Sequence, residues 1–325
     1  MQRPFFLGRC HFLSSEQEFF RQEMTMSVPI AYGLAIIIWS TTPLAIVISN
    51  ETLPPMIAAM LRMSIAAAMG LVMLKLFKLR FNWHWHAFRA YLASVVGIFG
   101  AMASTYLAAQ WVPSGLISVL FGLTTIATGA LGHFFLQDKL SVKQWLSVVV
   151  GLIGLAIVFT DQLVITGQGV YGVLFCLAAV MLFSISNILM KRFGSGLHPV
   201  QQTVGGLWCS LPLYALASFV SGSAVEWQQV SLNSMLGVAY LAILGSLVGF
   251  VAYFHLIAKL APAYVALITL VTPVIALFIG SQLYGEPITA EMMIGAAIIL
   301  SSLLFFMSDN FIRLYKDKRL GLKAA

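Results

Sequence analysis

The stretch that determines the fold class is PPMIAAMLRMSIAAAMGLVMLKL, residues 54–76. Apart from Arg62 and the terminal Lys75, its side chains are apolar or small, and it is long enough to cross the hydrocarbon core of a bilayer as a helix. A guanidinium stays charged at cellular pH, and its removal from water is costly unless partners replace that water. The rest of the chain must therefore explain why Arg62 lies in the middle of this stretch.

The whole chain has the same apolar character. Of its 325 residues, 60% are hydrophobic and only 9% are charged, whereas a soluble domain carries about 25% charged residues. Short loops separate ten apolar stretches, each long enough to span a membrane. These are residues 28–48, 54–76, 88–109, 114–136, 144–161, 168–190, 200–221, 233–257, 262–284 and 289–308. The sequence therefore predicts an all-α polytopic membrane protein with ten transmembrane helices.

The distribution of basic residues predicts how these helices are oriented. Of the 18 Lys and Arg residues, all but Arg62 lie before helix 1, after helix 10 or in the loops on that same side. The loops on the opposite side contain only acidic charges. Because positive charge is retained in the cytoplasm, we expect both termini to be cytoplasmic and the protein to lie in the inner membrane. The net charge of +7 then reflects orientation, and no nucleic-acid partner is expected.

The two ends of the chain are predicted to be cytoplasmic segments. Residues 1–27 contain aromatic and charged side chains without a small-residue cleavage site, so helix 1 is interpreted as a retained span and not as a signal peptide. Residues 310–325 form a basic tail. Whether translation starts at Met1, Met24 or Met26 is left open.

The two halves of the sequence resemble each other. FFLQDKLSVKQW (134–145) matches SQLYGEPITAEM (282–293), since each has an acid followed by Leu-Ser or Ile-Thr at the start of the next helix. WSTTP (39–43) aligns with FSISN (183–187) in the same order along the chain. Chance similarity among apolar helices is the alternative explanation.

These matches predict two five-helix repeats, residues 28–161 and 168–309. Because five is odd, the copies have opposite orientations in the membrane. Inverted repeats are typical of secondary transporters, whose substrate site lies near the midplane between them. In this alignment Arg62 corresponds to Gly206, so that one half offers a cation and the other offers space.

The chain resembles the EamA family of the drug/metabolite transporter superfamily. The resemblance rests on Trp39 with its small polar neighbours, on residues 54–68, and on the segments LQDKLSVKQWLSVVVGLIGLAIV (136–158) and VTPVIALFIGSQLYGEPIT (271–289). It implies a ten-helix transporter with two inverted repeats, and many members of the family export small metabolites.

Arg62 is the main candidate for binding substrate. It lies eight residues after Pro54, about 12 Å into a hydrocarbon core whose half-thickness is about 15 Å, so it should face the bundle interior. No Asp or Glu lies deep in any span, which leaves room for an exogenous anion. One hypothesis is a docking charge for an anionic group, and the other is a structural clamp on backbone carbonyls.

Polar side chains beside helix breaks are the further candidates. Pro43 and Pro273 each remove a backbone hydrogen bond within a span, and neighbouring hydroxyls can recruit water or ligand. Self-satisfied hydroxyls at ordinary kinks are the alternative. The polar and aromatic side chains predicted to bind substrate are Trp39, Ser40, Thr42, Thr124, Ser184, Asn187 and Thr272.

Other motifs are given structural roles. His133 and His255 fall near helix ends, where an interfacial role is favoured over a titrating one. NWHWH (82–86) has two His that suggest a metal only faintly, and its Trp residues fit an interfacial belt better. Cys10, Cys176 and Cys209 lack the spacing of metal ligands. No cofactor or metal is expected.

Taken together, these patterns predict a secondary transporter that exports small organic metabolites across the cytoplasmic membrane by alternating access. Its site is expected among helices 1, 2, 4, 6, 7 and 9, and its partners are the lipid bilayer and a small molecule, anionic or zwitterionic. A homodimer is left open. An intramembrane enzyme, or a receptor or scaffold without transport activity, is the alternative, but the spans show no catalytic set.

Overall fold

The computed structural model describes residues 27–136, 140–165, 167–193, 197–222, 224–249, 252, 256, 260 and 268–319. These residues form ten long or medium-length helices, one 3-10 turn at Trp227–Gln229 and no strand. The helices are α1 Val28–Ser49, α2 Pro55–Leu76, α3 Trp85–Ala108, α4 Ser114–Phe135, α5 Val142–Ile165, α6 Gly169–Phe193, α7 Pro199–Val220, α8 Leu232–Tyr240 with its continuation Leu241–Val248, α9 Ile268–Tyr284 and α10 Ala290–Arg319. The predicted all-α polytopic architecture is confirmed.

The observed helices follow the predicted spans closely. Eight are long and apolar enough to cross a membrane, while α8 and α9 are shorter within the described residues. Their predicted extents, 233–257 and 262–284, include residues outside the described part of the chain. Helix α10 continues to Arg319, well past the predicted end at 308. The N-terminal segment 1–26 and the end of the tail, 320–325, also lie outside the described residues.

Proline and short polar caps determine where several helices begin. Pro55 and Pro199 occupy the first positions of α2 and α7, where the missing N–H would have no intrahelical partner. His84 caps α3 by accepting a hydrogen bond from Ala87 N at 2.9 Å, and Ser231 caps α8. The helices therefore start where the sequence removes or satisfies the free amide groups of the first turn.

The helices exchange neighbours between the two halves of the chain. In the two halves α1 corresponds to α6, α3 to α8 and α4 to α9. Helix α1 packs on α8, and the corresponding pair α6 and α3 also pack together. Helix α1 packs on α9, and the corresponding pair α6 and α4 do the same. Likewise, α2 packs on α8 as α3 packs on α7. The pairs α2–α7, α4–α9 and α5–α10 join helices at equivalent positions in each half. Such an exchange is what a two-fold relation between the halves produces.

Two helices contain π-helical segments that the sequence analysis did not predict. They are Val96–Ala101 in α3 and Leu241–Val248 in α8, which are the third helix of each half. A π-helical turn leaves the α-helical hydrogen-bond pattern and is frequent at functional sites. The predicted helix breaks Pro43 and Pro273 also lie inside helices, in α1 and α9, and both are buried.

Helices α3 and α7 pack closely through glycine. A Cβ atom at Gly206 would lie 2.6 Å from the Cβ of Ser94 and 2.8 Å from Ile98 Cδ1, and one at Gly205 would lie 2.3 Å from the Tyr91 ring. The expectation that Gly206, the repeat counterpart of Arg62, offers space is therefore wrong. A glycine there lets two helices approach each other.

Candidate functional site

The Arg62 guanidinium lies inside the helix bundle. The residue is only 5% exposed, although it occupies the middle of α2. Its Nε and Nη1 atoms are fully buried and donate no hydrogen bond to any described residue. A buried cation with free donors is costly, because its lost hydration has not been replaced. The position therefore calls for a partner that the described residues do not supply.

Two tyrosines lie within electrostatic reach of this cation. The Tyr106 phenol, from α3, lies beside the guanidinium and beside Ser49 of α1, and it interacts with the Arg62 charge. Tyr106 is fully buried, yet its Oη makes no well-formed hydrogen bond with a described residue. Tyr214, from α7, also interacts with Arg62 and donates a hydrogen bond of 2.7 Å to the Ile98 carbonyl. Tyrosines from two helices thus lie near one cation, and the hydroxyl of one of them, Tyr106, has no partner among the described residues.

The opposite wall of the site is formed by the π-helical segment of α8. A Cβ atom at Gly245 would lie 3.6 Å from Arg62 Nη2 and 3.7 Å from Thr42 Oγ1. One at Gly249 would lie 3.6 Å from Trp39 Nε1, about one turn farther along. The predicted residues Arg62, Thr42 and Trp39 therefore all face α8. Glycine keeps this wall open, because a larger side chain would contact the guanidinium.

The hydroxyl groups of α1 differ in how they are satisfied. Thr42 Oγ1 donates to the Ile38 carbonyl at 2.7 Å, and Thr41 bonds both its own helix and Tyr240 of α8. Ser40 is fully buried, and its Oγ has no hydrogen-bond partner among the described residues. Ser40 is therefore another buried polar group whose donor is free.

The other predicted residues lie in a second group of helices. Ser184 of α6 is fully buried and donates to the Val180 carbonyl at 2.7 Å and to the Thr124 carbonyl of α4 at 3.3 Å. Thr124 Oγ1 donates within its own helix to Phe121 at 2.6 Å. Asn187 is partly buried in α6, and Thr272 is buried in α9. The structure thus joins α4 and α6 through Ser184.

Carboxylates are placed at helix ends, away from Arg62. The five whose side chains are described follow α1, lie near the end of α5, precede α8, or lie between α9 and the first turn of α10: Glu51, Asp161, Glu226, Glu286 and Glu291. Glu286 accepts hydrogen bonds from Ser114 N at 2.8 Å and Ser114 Oγ at 2.9 Å, at the start of α4. Asp161 accepts from Thr289 Oγ1 at 3.1 Å. These acids cap or join helix ends.

The histidines are held by local contacts. His84 uses Nδ1 to cap α3, while Trp83 and Trp85 beside it are 68% and 70% exposed. His133 Nδ1 accepts a long hydrogen bond of 3.4 Å from Leu140 N at the turn between α4 and α5. His255 lies outside the described residues. Within the described part of the chain, no group of three His, Cys, Asp or Glu side chains could hold a metal ion.

Sequence reasoning missed the aromatic side of the site. Tyr106 lies near the end of its predicted helix and Tyr214 lies farther inside its own, and nothing in the surrounding sequence links either of them to Arg62. Both glycines of GSLVG (245–249) border the residues around Arg62, although nothing in the sequence distinguishes them from glycines that only let helices pack. A search of each helix for buried polar residues would have found Tyr106, but it would not have shown that Tyr106 lies beside Arg62. The site predicted among α1, α2, α4, α6, α7 and α9 omitted α3 and α8, which both contact Arg62 or its partners.

This combination of membrane-length helices and a buried polar interior defines a multi-pass helical membrane protein. The model of the EamA-like transporter family matches the chain twice, over residues 28–160 and 170–308. The chain therefore belongs to the EamA-like transporter family and is a membrane transporter.

Relatives with assigned names are distant but nearly full-length. The uncharacterized transporter YoaV of Bacillus subtilis is 24% identical over 81% of this chain and 90% of its own. A probable amino-acid metabolite efflux pump of Escherichia coli is 24% identical over 83% of this chain and 91% of its own. The uncharacterized inner membrane transporter YedA of Escherichia coli is 26% identical over 85% and 89%. A crystal structure with 18% identity superposes with a TM-score of 0.61 over 86% of this chain and 97% of its own, which shows a shared fold.

Proposed function

We propose that this transporter is a secondary exporter of small organic metabolites, and that Arg62 binds the carboxylate end of its substrate. The single observation that carries the proposal is the buried guanidinium whose Nε and Nη1 have no partner among the described residues. A guanidinium can hold a carboxylate through two parallel hydrogen bonds. The anion would supply both the missing charge and the missing acceptors.

Tyr106 extends this proposed site. Its free phenol lies beside the guanidinium and can donate a third hydrogen bond to the same carboxylate. The glycine wall of α8 leaves room next to Arg62 Nη2 and Thr42. A relative named as an amino-acid metabolite efflux pump supports a substrate with a carboxylate, such as an amino acid. The zwitterion would place its carboxylate at Arg62 and its side chain toward Trp39.

Alternating access is proposed to come from movement of two inverted five-helix halves. The double match of the family model and the exchange of helix neighbours support this division. Both π-helical segments border the proposed site: Gly245 of α8 lies beside Arg62, and Ile98 of α3 accepts the hydrogen bond from Tyr214. Substrate binding would therefore shift the conformations of both π-helical segments at the same time. The basic end of the molecule is proposed to face the cytoplasm.

Binding at Arg62 is tested with Arg62→Lys and Arg62→Gln in the full chain, purified in detergent. Losing one charge-assisted hydrogen bond costs roughly 1.5–3 kcal/mol, so the affinity for the transported metabolite should fall about ten- to a hundredfold in Arg62→Lys and further in Arg62→Gln. Tyr106→Phe should weaken binding about two- to tenfold. Arg80→Gln is the control, because Arg80 is an exposed cation at the helix ends.

Melting temperatures of the same variants distinguish the docking role from a structural clamp. If Arg62 only clamps the helices, Arg62→Gln should melt at a much lower temperature while substrate affinity per folded molecule stays unchanged. The substrate itself is found by metabolite profiling of medium from cells with and without the gene, followed by counterflow of each hit in proteoliposomes. Failure of every hit to exchange across the liposome membrane would contradict secondary transport.

A further inference from the structure

Two guanidinium groups converge at the basic end of the molecule. Arg89 of α3 and Arg192 of α6 both lie over the Phe193 ring, with their Cζ atoms 4.4 Å and 5.7 Å from its centroid. Their guanidinium carbons are therefore within about 10 Å of each other. Both arginines are exposed, and Phe193 is partly buried between the helices. Two cations from different helices thus lie beside one aromatic ring.

No described acid neutralises this pair. Neither arginine forms an ion pair with any carboxylate in the described part of the chain, where the described acids lie at the opposite helix ends. Arg89 also lies near the amino-terminal end of α3, whose first turn contains no acid. The helix dipole is positive there, so a cation at this place is unfavourable without an external anion. At Arg89 the electrostatics therefore favour binding of an anion, whereas Arg192 lies in the last turn of α6, where a cation is stable.

The surroundings indicate that this anion lies at a membrane surface. Trp83 and Trp85, just before and at the start of α3, are 68% and 70% exposed, as expected for side chains in the headgroup layer. Toward the middle of the membrane, Leu92 lies one turn beyond Arg89 and is 45% exposed. Ile185, two turns from Arg192 on α6, is 36% exposed. An apolar surface therefore continues from the two cations into the hydrocarbon region.

We propose that the phosphate of an anionic phospholipid binds between Arg89 and Arg192, with its acyl chains along α3 and α6. Guanidinium groups hold phosphate through paired, charge-assisted hydrogen bonds. Helix α3 also carries Tyr106 and the π-helical segment, and α6 packs on that segment. A lipid bridging these helices would stabilise their contact. The proposal is independent of the substrate proposed for Arg62.

The test uses native mass spectrometry of the full chain in detergent, titrated with dioleoyl phosphatidylglycerol or dioleoyl phosphatidylcholine. Each basic residue near an anionic surface contributes about fivefold in affinity, so Arg89→Gln/Arg192→Gln should bind phosphatidylglycerol roughly thirtyfold more weakly. Lys75→Gln/Lys143→Gln is the matched control, because it removes two positive charges from the same end without touching the Phe193 site. The control should change affinity less than threefold.

Three results would contradict the proposal. Equal losses in both double variants would show a diffuse attraction to the basic end. Equal retention of phosphatidylcholine and phosphatidylglycerol by the wild type would remove the requirement for an anionic headgroup. Protection of the wild type from thermal unfolding by inorganic phosphate alone, at the level that the lipid gives, would identify a free-phosphate site. Circular dichroism in detergent checks that each variant is folded, and single substitutions replace the double variant if it is not.

Discussion

The Glu286 carboxylate shows how one side chain can determine a helix end. It accepts hydrogen bonds from the backbone N–H and the hydroxyl of Ser114, and it lies 3.4 Å from Gly115 N. An anion at the start of a helix satisfies free amide groups and interacts favourably with the dipole. Gly280 makes this approach possible, because a Cβ atom there would lie 2.3 Å from Glu286 Oε2. The acid that ends α9 therefore stabilises the beginning of α4.

Glu286→Gln is expected to destabilise the protein by about 1–2 kcal/mol, because the neutral amide loses the charge interaction and one of the accepted bonds. Glu226→Gln should have no measurable effect, since Glu226 is exposed. Thermal unfolding in detergent measures both. Equal melting temperatures for the two variants would show that the Glu286 cap contributes nothing.

Glu51→Gln, Glu226→Gln and Glu291→Gln should leave transport and its pH dependence unchanged, because no described carboxylate lies at the depth of Arg62.

At the scale of the helices, the site is held in place by helices that pack closely against each other at glycine residues. Helix α7 approaches α3 at Gly205 and Gly206, and this contact brings Tyr214 to the carbonyl of Ile98 in the π-helical segment. Helix α5 approaches α10 in the same way, since a Cβ atom at Gly154 would lie 2.9 Å from the Gly295 carbonyl oxygen. Small residues permit such contacts between membrane helices. Helix α3, whose Tyr106 lies beside Arg62, is thus held in place by its contact with α7.

Gly205→Ala tests this role of the α3–α7 contact. The new methyl would lie 2.3 Å from the Tyr91 ring, so the helices must separate at a cost of about 1–3 kcal/mol. Gly33→Ala is the matched control, since nothing lies within 4 Å of a Cβ atom there and alanine favours a helix. Melting temperature and folded yield measure the effect. An unchanged Gly205→Ala variant would mean that the α3–α7 contact adjusts without cost.

For the whole molecule, charge separates the two ends. The acids at Glu51, Glu226 and Glu286 lie at the same end as the starts of α4 and α8, and the basic residues lie at the other. Loop contacts follow this division: Thr52 bonds Ser234 of α8 at one end, and Arg80 bonds Gln201 of α7 at the other. The separation predicts a single orientation in the membrane.

Labelling of single cysteines checks this orientation in a background without Cys. Exposed positions at the acidic end, Gln110, Gln168 and Gln228, should react with an impermeant thiol reagent added outside intact cells. Exposed positions at the basic end, Arg80 and Lys191, should react only after permeabilisation. Outside labelling at Arg80 or Lys191 would reverse or disprove the proposed topology.

Much of this architecture could be predicted from the sequence because a bilayer imposes simple requirements. A span must be long and apolar, so the positions of the apolar stretches predicted helices that begin near Pro55, Ser114 and Pro199. The depth of Arg62 and the absence of a deep acid also follow from counting residues along a helix. These features depend on local sequence and on the solvent.

Tertiary structure decided which polar groups meet. Whether Tyr106 or Thr272 lies beside Arg62 depends on the rotation of each helix about its axis, which the packing of all its neighbours sets. The two π-helical segments have no local signature, and the role of Gly206 reversed because α3 packs against it. The sequence by itself therefore determined that a cation is buried in a helical membrane protein. Only the assembled bundle determined that Tyr106 and the Gly245 wall surround it, because side chains distant in sequence are brought together only when the helices pack.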